Sequence, residues 1–324
     1  EFSVTITPSA TQPITLTVDA TEAAVGVYRG TERLGAHSRL SLPEYIPGKH
    51  SPQGRVSEIT GLQFEAEGHS VKWTRDPVDP FTFRLALPKK TKSIVAKFTV
   101  LRSPGSPFHA RIPWDAFLLL PTGRSTNTVS VQGQLRVPDG WEVDSALKQT
   151  TRSSTTTTFA PVNATEFVDS PAQIGKFVKR YDLGTVAGAP VSIAIAGNDR
   201  TSIEPSAATI SGLKRLVSQA GMLFGGRHFR AYTFLVIADG PDSTEGLEHH
   251  ESSEDTVAAS DPVEHPENLA ILLGHEFAHS WNGKYRRPAG LDTKNFSEPM
   301  RTELLWVYEG LTEYLGAVLA ARSG

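Results

Sequence analysis

The chain has 324 residues, no cysteine and a formal net charge of −3, with 39% hydrophobic and 21% charged residues. Disulfide frameworks, thiolate metal sites, iron–sulfur clusters and a cysteine nucleophile are therefore excluded, and any metal must be held by imidazole and carboxylate. The charge gives no electrostatic basis for nucleic acid or an anionic membrane surface, and no apolar run reaches the ~18 residues needed to span a bilayer.

At roughly 150 residues per domain the length suggests two domains. The chain starts in Glu1-Phe2-Ser3 without an initiator Met or a signal-like segment, which reads as a mature or engineered end. A periplasmic or secreted location is the favoured expectation, with the cytoplasm left open. Short segments of period-two alternation follow: Val4-Thr5-Ile6-Thr7, Ile14-Thr15-Leu16-Thr17-Val18, Phe81-Thr82-Phe83-Arg84-Leu85, Val129-Ser130-Val131 and Val191-Ser192-Ile193-Ala194-Ile195. Together with Pro-Gly and Asp-Gly punctuation they predict an all-β, sandwich-like domain over residues 1–200. The Ser/Thr run over 150–158 reads as a hairpin tip or exposed strand.

The pattern changes near Asn198. Residues 207–224 place Ile210, Leu213, Leu216, Val217 and Ala220 on one helical face, and Gly225-Gly226 ends the helix. Residues 231–237 form a near-continuous apolar run, as in a buried strand. A polar stretch spans 239–261, a helix is expected from about Pro266, and a last helical pattern covers about 299–321. Residues 201–324 thus read as a mixed α+β domain.

The sharpest chemical signal is Gly274-His275-Glu276-Phe277-Ala278-His279. Helical residues four apart share a face, so His275 and His279 can offer two imidazoles to one ion, with Glu276 beside them to accept a proton from a metal-bound water. The apolar run 269–273 would bury this helix in a cleft. A catalytic zinc needs a third protein ligand, and Glu309 and Glu313, again four apart, can supply it. One carboxylate would bind the metal while the other accepts the free ring N–H of a ligand histidine. Trp306, Leu311, Tyr314 and Leu315 on the same helix are expected to bury most of it. His50, His69, His109 and His228 stand isolated and read as structural or surface residues. Spacing alone gives no role to Trp281, Asn282, Lys284 or Arg287.

The run His275-Glu276-Phe277-Ala278-His279-Ser280-Trp281-Asn282-Gly283-Lys284, with Arg287-Pro288 and Leu305-Trp306-Val307-Tyr308-Glu309-Gly310, resembles the glycyl aminopeptidase family of zinc metallopeptidases, within the thermolysin-like gluzincin group. Leu42-Pro43-Glu44-Tyr45-Ile46-Pro47-Gly48, residues 167–175 and Tyr232-Thr233-Phe234-Leu235 resemble further segments of that family. The resemblance implies one Zn2+ held by His275, His279 and Glu309, with Glu276 as general base and proton donor. It also implies Glu313 as the partner of a ligand histidine. Gly246-Leu247-Glu248-His249 resembles a stretch on a strand edging the cleft, where Glu248 would hold the substrate's α-amine. Glu245 stands where that pattern has a second glycine, and a different local geometry or subsite size is the expectation. The plain alternative for this segment is a solvated acidic loop.

The expected function is a zinc aminopeptidase acting on peptides with a free N-terminus and preferring small residues such as Gly or Ala. An endopeptidase of the same metal chemistry and a β-rich binding module with a vestigial metal site are the alternatives. No Gly-x-Ser-x-Gly elbow, phosphate loop or nucleotide fingerprint is present. Because the sequence stops fifteen residues after Glu309, the expectation is a catalytic domain cut short, with its oxyanion-stabilising residue and a C-terminal remainder, often bearing a PDZ module, lying beyond Gly324. Weak turnover by these residues alone is expected.

Overall fold

The computed structural model describes residues 12–240 and 244–324. The expected strand at residues 4–7 lies outside them. The alternation in Ile14–Glu22 does what period two requires, since Ile14, Leu16, Val18 and Ala20 all turn inward and are buried. This strand pairs antiparallel with Val27–Gly35 and parallel with Ser130–Arg136 inside a nine-stranded sheet. A four-stranded and a three-stranded sheet complete the N-terminal half. All three share one core, in which Trp114 packs against Phe159 and Phe167. The Ser/Thr run forms an edge hairpin of Gln149–Arg152 and Thr156–Phe159.

A fourth sheet, of five strands, begins at Phe177. Its order is Phe177–Val186, Ala189–Gly197, Tyr232–Gly240, Ser252–Ala258 and, at the edge, Glu245–Glu248. It has its own core, which includes Leu183, Val191, Ile193, Phe234 and Val236. The boundary therefore falls near 176/177, earlier than the 200/201 division read from the sequence. The first two strands of this sheet alternate like those before them, so local pattern could not show which sheet they join.

Parallel neighbours need a crossover, and Ala207–Phe224 supplies it between Ala189–Gly197 and Tyr232–Gly240. Ser206 caps that helix by accepting from the Thr209 amide, and Gly225 ends it in the left-handed region at φ +69°. The polar stretch after residue 239 holds two strands that the sequence pattern conceals. Ser252, Ser253 and Asp255 are buried although polar, so hydrophobic alternation is lost where the sheet meets the site.

Two helices carry the motif residues. Pro266–His279 starts with proline at its first turn and buries Leu269, Leu273 and Phe277. The last helix starts later than expected, as a π turn over Trp306–Gly310 that continues into Leu311–Ser323. It packs through Thr312, Gly316 and Leu319, which are buried. A Cβ on Gly316 would sit 2.8 Å from the His275 backbone, so glycine is what lets the two helices meet this closely. Trp306, Leu311 and Tyr314 are instead 70%, 42% and 65% exposed, against the expectation that they bury this helix. They lie at angles that point away from the packed stripe. Among the described residues, no helix is long and apolar enough to cross a membrane.

Candidate metal centre

His275 and His279 project from one face of Pro266–His279, and Glu309 reaches them from the π turn. The two Nε2 atoms lie 3.0 Å apart, and Glu309 Oε2 is 3.5 Å from the first and 3.2 Å from the second. Ligands at about 2.1 Å around a tetrahedral ion are separated by about 3.4 Å, so these three atoms have the spacing of three corners of one coordination sphere. The proton positions agree. Nδ1 of His279 lies 3.1 Å from the Asn282 carbonyl, which can only accept, so that nitrogen carries the proton and Nε2 keeps its lone pair. Asn282 is itself fixed, donating through Nδ2 to the Val307 carbonyl at 2.8 Å.

Glu313 Oε2 approaches Nδ1 of His275 at 3.1 Å, outside hydrogen-bond alignment, and its side chain is 74% exposed. Desolvation opposes charge on His275, yet Glu309 and Glu313 together raise its pKa. For Glu309, desolvation is outweighed by the three surrounding imidazoles, His275, His279 and His50, which hold the carboxyl well below its usual range. Two imidazole lone pairs and a carboxylate converging on one point fit a divalent cation, and their nitrogen–oxygen donor set suits zinc.

Glu276 is buried beside the edge strand. A Cβ on Gly246 would lie 2.0 Å from its Oε1, so only glycine there leaves room for the carboxylate. Burial, with Asp255, Glu248 and Glu309 nearby, pushes Glu276 well above the ordinary carboxyl range. A cation among the three ligands would oppose that push. Asp255 behind it, with Oδ1 unpartnered, is raised to about 7, chiefly by burial.

Glu248 lies on the same edge strand, with a carboxylate oxygen within 4.8 Å of donor atoms of both Glu276 and His279. It is 3% exposed, so its segment is a strand of the cleft wall and not a solvated loop. Tyr308 donates its hydroxyl to Oε1, and Lys284 Nζ stands 3.8 Å from the same oxygen. Desolvation of Glu248 is outweighed by Lys284 and His279, and its pKa is lowered. Lys284 is wholly buried and also donates to Asp169 at 2.8 Å. From there a line of alternating charge runs through His249, 3.1 Å from Asp169, to Glu254 at 3.3 Å and on to Arg111. Asp169 and Arg111 come from the N-terminal half, so the line ties the two halves together beneath the site. A cavity of about 160 Å³ lies alongside it, lined by Lys49, Arg55 and Arg111 on one side and Glu245, Gly246 and Leu247 on the other.

His50 is the site residue that sequence reading passed over. Its Nε2 donates to Glu309 Oε1 at 2.6 Å, and its ring stands edge-on to Tyr308 at 4.7 Å. The signal was present in the Pro47-Gly48 segment two residues before it, but no periodicity links that loop to a helix 259 residues away. Lys284 was likewise given no role by spacing, and Tyr308 entered only as part of the motif that carries the resemblance.

Family profiles cover most of the chain. That of the M61 glycyl aminopeptidase matches residues 268–324, and that of the peptidase M61 N-terminal domain matches residues 15–176. Among solved structures, an aminopeptidase N family protein from Idiomarina loihiensis is similar with a TM-score of 0.83 at 20% identity, over 96% of this chain and 55% of that one. An M1 zinc metallopeptidase from Deinococcus radiodurans is similar with a TM-score of 0.55 at 17% identity, over 97% and 70%. At such identities the likeness shows the fold alone. The chain spans about half the length of the Idiomarina protein, 55% of it. A search of curated proteins returned no match.

Proposed function

This chain belongs to the M61 glycyl aminopeptidase family, and on that footing we propose that it carries the zinc centre of an aminopeptidase. Its substrates would be peptides with a free N-terminus, with small first residues such as Gly or Ala preferred. The observation that carries the reading is the convergence of His275, His279 and Glu309 on one point beside two further buried carboxylates.

His275, His279 and Glu309 would hold the ion. Zinc bound there supplies Lewis-acid polarisation of the scissile carbonyl and acidifies a water. Glu276, with its raised pKa, accepts a proton from the attacking water and returns it to the leaving amine. Its burial excludes competing solvent from that transfer. Glu248 supports an exopeptidase reading. Tyr308 and Lys284 both engage Oε1, which leaves Oε2 to accept from a substrate ammonium. Gly48 of the N-terminal half covers the same carboxylate, since a Cβ there would be 2.8 Å from both oxygens. A cleft closed at that point suits a chain that ends there and a small first side chain.

Metal analysis together with hydrolysis of Gly- and Ala-p-nitroanilide tests the reading. About one zinc per chain is expected, with hydrolysis abolished by chelation, restored by zinc, and absent on N-acetylated peptides. Cleavage of blocked peptides that survives Glu248→Ala would point to an endopeptidase. A folded protein that takes up no zinc would leave a binding module.

A further inference from the structure

We propose that His50 is a positioning residue of the metal centre: it clamps one oxygen of Glu309 so that the carboxylate presents only the other to the ion. This rests on the zinc reading above and goes beyond its ligand set. The two oxygens of Glu309 face different partners. Oε1 accepts from His50 at 2.6 Å, while Oε2 faces His279 and His275 at 3.2 and 3.5 Å. His50 is not among the three residues whose donor atoms close on one point, so it acts on the ligand and not as one. A carboxylate whose second oxygen is already taken binds through a single oxygen and cannot swing away.

The loop that delivers His50 is built for that placement. His50 has φ +53°, in the left-handed region that side chains with a Cβ seldom adopt, and Gly48 before it has φ +85°. Such a conformation persists where the surroundings over-determine it. Here they do: Tyr45 bridges to Pro52, and the amides of Glu44 and Tyr45 both donate to the Phe296 carbonyl at 3.0 and 2.9 Å. Gly48 rests on Glu248, and the His50 ring is held edge-on by Tyr308. The imidazole is only 15% exposed, whereas Glu309 is 38% exposed and has its other face open to water. Without the clamp, the one ligand that comes from an exposed turn would be free to rotate. The N-terminal half thus completes the metal centre of the C-terminal half.

The test is zinc affinity of the full chain, read by competition with a chromophoric chelator, for wild type, His50→Phe and His50→Gln. Phenylalanine keeps a ring against Tyr308 and removes the donor, whereas glutamine keeps a donor. His50→Phe is expected to bind zinc about 10–100-fold more weakly, with His50→Gln recovering most of the loss. The zinc-free proteins should melt alike, which a packing role would not allow. Should His50→Phe fail to fold, His50→Ala against His50→Gln carries the same comparison. Equal weakening in the donor-free and donor-bearing variants, or affinity within twofold of wild type in the donor-free one, would overturn the clamp while leaving the zinc reading intact. No zinc uptake by wild type would overturn that reading and the clamp with it.

Discussion

Glu276 owes its chemistry to its neighbours more than to its place in the motif. The spacing of His275, Glu276 and His279 follows from helical geometry and was legible without coordinates. What was not legible is that three other carboxylates and burial raise its pKa, or that Gly246 makes its room. Glu276→Gln should retain about one zinc per chain and lose about 10²–10⁴-fold in kcat/KM, since it keeps the shape and removes the proton acceptor. Equal losses of zinc and activity would make Glu276 a structural residue instead. Lys284 was equally silent in the sequence. Buried between Asp169 and Glu248, it balances two carboxylates that nothing else neutralises as closely. Lys284→Met should destabilise by about 3–5 kcal/mol in urea titration, because it strands buried charge.

The edge strand Glu245–Glu248 is the element on which the site depends most; the resemblance placed it at the cleft, but no hydrophobic pattern did. It and its partner Ser252–Ala258 carry polar side chains inward, so the alternation that reveals the N-terminal strands is missing. Buried polar side chains take the place of the hydrophobic signal at these positions. Gly246→Ala would place a methyl where the Glu276 carboxylate now lies. The expected result is a loss of about 1–3 kcal/mol from overpacking, with activity falling far more than zinc content. Unchanged kinetics would show that the strand can shift to make room. The final helix gives the converse case. Its periodicity was read correctly as helical, but period alone does not say which stripe is packed. The small residue Gly316 marks the contact, while Trp306 and Tyr314 face outward.

At the scale of the molecule, two cores meet along the buried line Glu248–Lys284–Asp169–His249–Glu254–Arg111. Desolvation opposes charge on His249, yet Asp169 and Glu254 raise it from 6.5 to about 9. The folded state therefore holds a proton that the unfolded chain releases between those values, so this contribution to stability falls as pH rises. The margin of wild type over His249→Gln in thermal melts should be full below about pH 6.5 and vanish as pH passes about 9. A margin that grows with pH would mean that His249 is neutral in the fold. Zinc should add to stability in proportion to ln(1 + [Zn]/Kd), about 2.7 kcal/mol at a hundredfold excess over Kd, and chelation should remove it.

The sequence by itself determined the helix with its two imidazoles and carboxylate, the acidic pair four residues apart, the exclusion of sulfur ligands and the β character of the first half. Each of these is a local property, set by period, composition or spacing within a few residues. Tertiary structure alone decided that the strands from Phe177 join the five-stranded sheet, that Lys284 neutralises Glu248, and that His50 crosses 259 residues to reach Glu309. These are meetings between distant segments, fixed by how two cores pack, and no pattern along a single segment records them.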